Sequence, residues 1–257
     1  MTEIHQTAII EEGAEIGEDV SIGPYSVISA NAKIGDGAKL MSHVVIEGHT
    51  KLGRGCKVFP FACIGAQTQD LKYSGGTTYV EVGENTVIRE NVTINSGTHE
   101  GEVTRVGSGC LIMAYAHIAH ACVVGDEVIM ANCATLAGDV QVEDKAVLGG
   151  LSAVHQFVRV GKMCMVGGCT KITQDCPPFM IVDGNPAVVR GLNSIGLKRR
   201  GIDSESQKGL KEAFKVIYKK DLSTSQAMEE IKNLPDMSPE LEHLVSFVEK
   251  SERGIIK

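Results

Sequence analysis

No stretch of the chain approaches the roughly 20 consecutive apolar residues that a membrane span needs. The opening Met-Thr-Glu-Ile-His has neither a basic leader nor an apolar run. A soluble, cytoplasmic protein with no membrane span is therefore expected. None of the eight cysteines belongs to a Cys-x-x-Cys pair, which removes the usual sign of a zinc ribbon or a redox motif. Basic charge is also short: the net charge is -7, and no nucleic-acid partner is expected. The exception is the segment from Arg159 to Arg200, where basic residues outnumber Asp175 and Asp183. Such a segment suits an anionic partner, or is an ordinary solvated face.

What the chain has in abundance is a repeat. Ile, Leu, Val or Met recurs at every sixth position from Ile4 to Ile172, and only Asp70, Gly76 and Glu100 break the series. Four residues after each of these, from Ala8 to Thr170, the chain holds only Ala, Val, Ser, Thr or Cys. A helix of 3.6 residues per turn cannot keep a six-residue period on one face, whereas short strands joined by tight corners can. Three such strands close one triangular, eighteen-residue coil, and each coil lies about 4.8 Å above the last, the spacing of hydrogen-bonded strands. The aliphatic residue fills the interior of each side, and the small residue fits the tighter space. Glycine often follows the aliphatic position, as at Gly17, Gly35, Gly53, Gly83, Gly107 and Gly125, and its missing Cβ suits a tight corner. Cys56, Cys110, Cys122 and Cys164 occupy the small slot and read as core fillers.

The coil runs to about residue 176, with excursions near 66 to 81 and near 96 to 105 that preserve the phase. Loops extruded from a solenoid corner cost the stack little and are natural carriers of function. After Pro177, Pro178 and Pro186 the pattern predicts three helices, near 204 to 219, 223 to 233 and 239 to 251. Ser238 followed by Pro239 supplies a cap and a first helical position.

Outside the core, Ala116-His117-Ile118-Ala119-His120 sets two histidines on either side of an inward isoleucine, so both are expected at the surface. A solvated surface histidine is the ordinary reading, and proton transfer the sharper one. Counting one coil upward places Gly138 above His120, and a second coil places Gln156 there, beside His155. The glycine leaves room for a substrate, and its N–H suits a developing oxyanion. The first excursion contributes Gln69-Asp70-Leu71-Lys72-Tyr73. The same count sets His99 one coil below His117, so a zinc site of His99, His117 and His120 is an alternative. Their spacing does not match the β-helical carbonic anhydrases.

These segments, together with Ser42-His43-Val44-Val45-Ile46-Glu47-Gly48-His49-Thr50, Ala153-Val154-His155-Gln156-Phe157 and Gly196-Leu197-Lys198-Arg199-Arg200-Gly201, resemble the UDP-N-acetylglucosamine acyltransferases, hexapeptide-repeat enzymes that begin lipid A synthesis. The resemblance covers nearly the whole chain. It implies a left-handed parallel β-helix over 1–190, a small α-helical C-terminal domain over 191–257, and a homotrimer with active sites between neighbouring coils. It also implies transfer of an (R)-3-hydroxyacyl group from acyl carrier protein to the 3-hydroxyl of UDP-N-acetylglucosamine, with no metal or other cofactor.

In that likeness His120 matches the general base and Gly138 the backbone donor to the tetrahedral oxyanion. Asp70, Lys72, His117, His155 and Gln156 match substrate-positioning residues. Arg199 matches a contact to the nucleotide diphosphate, where a planar fork of donors is apt, and Arg200 beside it a contact to the carrier protein. Gly168 matches the position that limits the acyl groove, where glycine implies a longer chain. Two places depart from the pattern. Family members carry Asp after the base and His after the glycine, where this chain has Ala121 and Asp139. These two stack one coil apart, so Asp139 is expected to supply from above the carboxylate missing below. Two rivals remain: a related N-acyltransferase, which usually carries an extra nucleotide-binding domain before repeats that here start at Ile4, and a non-catalytic β-helix, which would leave the outward histidines unexplained.

Overall fold

The six-residue pattern folds into a parallel β-helix. A computed structural model describes residues 1–257. Each inward aliphatic and the residue before it form a short strand, paired in register with the equivalent strand of the next coil, as in Ile4 with Ile22, Ile22 with Leu40 and Ile28 with Ile46. Three sheets of 11, 9 and 8 strands form the sides of a triangular prism. The first sheet contains Ile22, the second Ile28 and the third Ile34. The first corner joins the first sheet to the second, the second corner joins the second to the third, and the third corner closes the coil.

The interior is one continuous column. Ile28, Ile46, Ile64, Ile88, Ile112 and Ile118 are fully buried, each contributing roughly 1.5–3 kcal/mol of apolar transfer. The small-residue slot does more than save space. Thr86 Oγ1 donates to the Gly107 carbonyl at 2.7 Å, and Cys110 Sγ and Cys122 Sγ donate to the Gly125 and Ala137 carbonyls at 3.1 Å. Burial pushes the Cys110 thiol up to about 11 and that of Cys122 to about 12, so both stay protonated and neither is a ready metal ligand.

The glycines act differently from the expectation. Left-handed backbone falls two residues after them, at side-chain-bearing residues such as Asp19, Tyr25, Asn85 and Glu127. The glycines answer to close approach between coils. A Cβ on Gly107 would lie 2.5 Å from the Gly125 carbonyl, and one on Gly53 2.7 Å from the Gly83 carbonyl carbon.

Both excursions leave at the second corner, between the strands Cys63–Ala66 and Tyr79–Val82 and between Thr93–Asn95 and Val103–Val106. The three breaks in the aliphatic series lie inside them. At the far end the first sheet finishes in an antiparallel hairpin, Met180–Asp183 with Val188–Leu192. Four helices follow: α1 Ser194–Arg199, α2 Ser204–Lys219, α3 Thr224–Lys232 and α4 Pro239–Glu249. The first was not expected; Asn193 caps it by accepting from the Gly196 N–H at 3.1 Å. Asp203 caps α2, a Ser223–Gln226 capping box starts α3, and Ser238 with Pro239 starts α4. Phe179 and Met180 of the coil's end share a second core with Leu197, Leu210, Leu244 and Phe247 of the helices.

Candidate active site

The second corner gathers most of the polar residues singled out above, because every coil presents its corner residues in one column. His120 begins that corner, and its side chain is only 12% exposed. The ring lies on Gly138, where a Cβ would stand 2.2 Å from Cε1 and Nε2. The space above His120 is thus filled by its own imidazole, not left open for a substrate as expected. Gly138 is itself buried, and its N–H donates to no backbone or side-chain acceptor while the neighbouring Asp139 N–H donates to the His120 carbonyl at 3.0 Å. A buried, unpaired N–H is a donor held ready for a ligand oxygen.

Two carboxylates flank the ring. Asp70 Oδ2 is 3.6 Å from Nε2, and Asp139 Oδ2 is 3.8 Å from Nδ1. Both are beyond hydrogen-bond length. Gln156 Nε2 donates to Asp139 Oδ2 at 3.3 Å. Asp70 reaches His120 because the two excursions are tied together. Thr68 Oγ1 and Thr98 Oγ1 are 3.1 Å apart, and Asn95 Nδ2 donates to the Gln67 carbonyl at 2.9 Å. The Lys72 N–H donates to Asp70 Oδ1 at 3.0 Å. That bond, then the charges of Lys72, His120 and His99, holds the Asp70 carboxyl below its ordinary range.

His117 is half-buried, not a freely solvated surface residue. Its Nδ1 lies 2.7 Å from Thr93 Oγ1, and burial lowers its pKa, which keeps it neutral at pH 7. Its strand partner is Thr93, 24 residues earlier, because the second excursion adds six residues to that coil. His99 is therefore not beneath it, and no group of three or more His, Cys, Asp or Glu side chains is arranged to hold a metal ion. Gln156 and His155 stand two coils above His120, the latter with Nδ1 3.1 Å from the Gln156 carbonyl.

Three expected residues lie elsewhere. Gly168 is exposed at the first corner, where an added Cβ would meet only the Gly150 carbonyl at 3.3 Å. Arg199 and Arg200, in and just after α1, are exposed near the third corner, where Arg200 pairs with Glu127. A triangular coil turns its corners in three directions, so one chain cannot bring these three to His120. A residue that the sequence did not suggest is Arg253, whose Nη2 is 3.5 Å from His155 Nδ1. Its only sequence signal is the apolar Ile255-Ile256 pair that anchors the tail.

A family model described as UDP N-acetylglucosamine O-acyltransferase, domain 2, matches residues 175–256, and a bacterial transferase hexapeptide model matches residues 104–138. A relative from Paracidovorax citrulli named acyl-[acyl-carrier-protein]–UDP-N-acetylglucosamine O-acyltransferase is 53% identical over 100% of both chains. Among solved structures, the Acinetobacter baumannii enzyme of this family is 43% identical with a TM-score of 0.95 over 99% of each chain. A UDP-N-acetylglucosamine acyltransferase from Bacteroides fragilis is 40% identical with a TM-score of 0.97, over 99% of this chain and 100% of that one.

Proposed function

The chain belongs to the UDP-N-acetylglucosamine O-acyltransferase family, and on that premise we propose how its second corner performs the family's reaction. The fold is the family's left-handed parallel β-helix with a small helical C-terminal part. The enzyme transfers an acyl group from acyl carrier protein to UDP-N-acetylglucosamine, the first step of lipid A biosynthesis. The acyl group is an (R)-3-hydroxyacyl chain and the acceptor is the sugar 3-hydroxyl.

His120 Nε2 takes the hydroxyl proton as the oxygen attacks the thioester carbonyl carbon. The carbonyl oxygen becomes an oxyanion and accepts from the Gly138 N–H. Collapse breaks the carbon–sulfur bond, and the departing thiolate takes the proton from the His120 imidazolium. Asp70 and Lys72 position the sugar from the first excursion, with His117 on the same coil as His120 and Gln156 and His155 above. The observation that carries this reading is the pairing of His120, whose ring makes no hydrogen bond, with the buried, unpaired N–H of Gly138 on which it lies.

The assembly is a homotrimer. In it, Arg199 and Arg200 of one chain meet the nucleotide and the carrier protein beside His120 of another, and Gly168 borders the acyl groove. Two features support this: the separation of these residues within one chain, and an exposed column of Tyr25, Phe61, Tyr115 and Leu151 at the first corner. The cytoplasm, where acyl carrier protein works, is its compartment. Residues 1–190 and 191–257 form its two domains.

The test is acylation of UDP-N-acetylglucosamine by a series of 3-hydroxyacyl carrier proteins, beside His120→Ala and Gly168→Met. Wild-type product, a loss of roughly 10²-fold or more in the first variant and a shift to shorter donors in the second are expected. An undiminished rate in His120→Ala refutes the base. No wild-type product from any donor sends the assay to the 3-amino sugar.

A further inference from the structure

The tail after α4 returns along the second corner and is held there. The Asp175 N–H donates to the Gly254 carbonyl at 3.0 Å and the Ile256 N–H to the Asp175 carbonyl at 2.9 Å. Ser251 Oγ donates to Asp175 Oδ2 at 2.7 Å, and Ile255 and Ile256 are buried. This strap fixes Arg253 beside His155, two coils above His120. His155 Nδ1 already lies 3.1 Å from the Gln156 carbonyl, a group that only accepts. A ring nitrogen donating there has no lone pair for the guanidinium 3.5 Å away. Arg253 is left without an acceptor, and neither it nor Lys250 has a carboxylate within ion-pair distance.

Both cations line an open cavity with Ala121, Asp139, Phe157 and Arg159. The other charges there are engaged. Arg159 donates to the Phe247 and Lys250 carbonyls at 3.3 Å each and lies over the Phe247 ring. Asp175 accepts from the Arg159 N–H and from Ser251, and Asp139 accepts from Gln156. The lining carries as many carboxylates as cations, Asp139, Asp175 and Glu252 against Arg159, Lys250 and Arg253, and what sets Arg253 and Lys250 apart is that their cationic ends have no carboxylate or carbonyl partner. Ala121 puts this wall one residue from His120, and the strap stands about 10 Å above the base at 4.8 Å per coil.

We propose that Arg253, assisted by Lys250, is a subsite for a phosphate group of one of the two substrates. A guanidinium fork with no internal partner matches phosphate oxygens in a bidentate manner. Both substrates carry such a group: the sugar nucleotide has a diphosphate, and the carrier protein holds its thiol arm through a phosphodiester. The inference rests on the second corner being the active site.

The test uses the full-length enzyme with each substrate varied in turn, for wild type, Arg253→Gln, Arg253→Lys and Lys250→Gln, together with titration calorimetry of UDP-N-acetylglucosamine and of free phosphopantetheine. Arg253→Gln should raise KM and Kd for one substrate by about tenfold, with kcat nearly unchanged and Arg253→Lys partly restored. The substrate affected identifies which phosphate is bound, and Lys250→Gln should raise the same constants by less. Unchanged constants for both substrates, or a fall in kcat alone, in an enzyme that turns over would overturn the subsite and leave the roles of His120 and Gly138 standing. A wild type that neither turns over nor binds either probe would overturn both.

Discussion

His120 is held unusually for a histidine at the start of a corner: its ring makes no hydrogen bond, and a carboxylate stands off each nitrogen at 3.6 and 3.8 Å. The two carboxylates are not equivalent. Asp70 faces Nε2, the nitrogen proposed to take the substrate proton, and belongs to an extruded loop. Asp139 faces Nδ1, is part of the coil, and is itself anchored by Gln156. Closure of that 3.8 Å gap to hydrogen-bond length would let Nδ1–H donate to Asp139 and fix the tautomer with the Nε2 lone pair free. On the proposed mechanism Asp139 would then be a positioning residue. Asp139→Asn should lower kcat with little change in KM, because the His120 ring loses the carboxylate that orients it. The loss should be smaller than the roughly 10²-fold expected on removing the base. An unchanged kcat would show that Asp139 does not act on His120. Counting by eighteen placed Gly138 and Asp139 over His120 and Ala121. It could not show that the ring lies flat on the glycine, nor that Asp70 folds back to Nε2, because both depend on side-chain rotation and on loop ties such as Thr68 with Thr98.

Among the elements, the strands were legible because a six-residue period admits few alternatives, and three of the four helices were legible once the repeat ended after Pro177, Pro178 and Pro186, the last with Ser238 and Pro239 as its start. The reason for the glycines was not. Their φ values are ordinary, and the constraint comes from the next coil, a contact that no local pattern encodes. Gly107→Ala should therefore overpack the stack, costing about 1–3 kcal/mol and lowering the thermal unfolding midpoint. Gly191→Ala is the comparison: nothing lies within 4 Å of its Cβ position, so its midpoint should stay level or rise slightly. Equal midpoints for the two variants would mean that the coils relax apart. The misplaced His99 has the same origin as the glycines. The excursion adds six residues, and a count through it lands on the wrong partner, whereas the ladder pairs His117 with Thr93.

For the whole molecule, the decisive feature is that one chain points its groups three ways: His120 at the second corner, Gly168 at the first, and Arg199 with Arg200 near the third. If the site forms between chains, two crippled chains can repair each other. His120→Ala and Arg199→Ala, each poorly active alone at low acceptor concentration, should regain about a quarter of wild-type activity when co-assembled in equal amounts, since each site needs one intact residue from each of two neighbours. No recovery in purified mixed assemblies would place both residues in one chain's site.

The register of the coil carries a further consequence. Each tier holds the same corner in the same orientation, so the height of a group along the second corner comes only in whole steps of about 4.8 Å. Inserting or deleting a complete tier below the first excursion would leave the spacing of His120, Gly138 and His155 intact. The same change between Gly138 and His155 would displace the upper groups by one full step. Evolution of this corner is in that respect digital: distances along the axis cannot be adjusted by fractions of a tier.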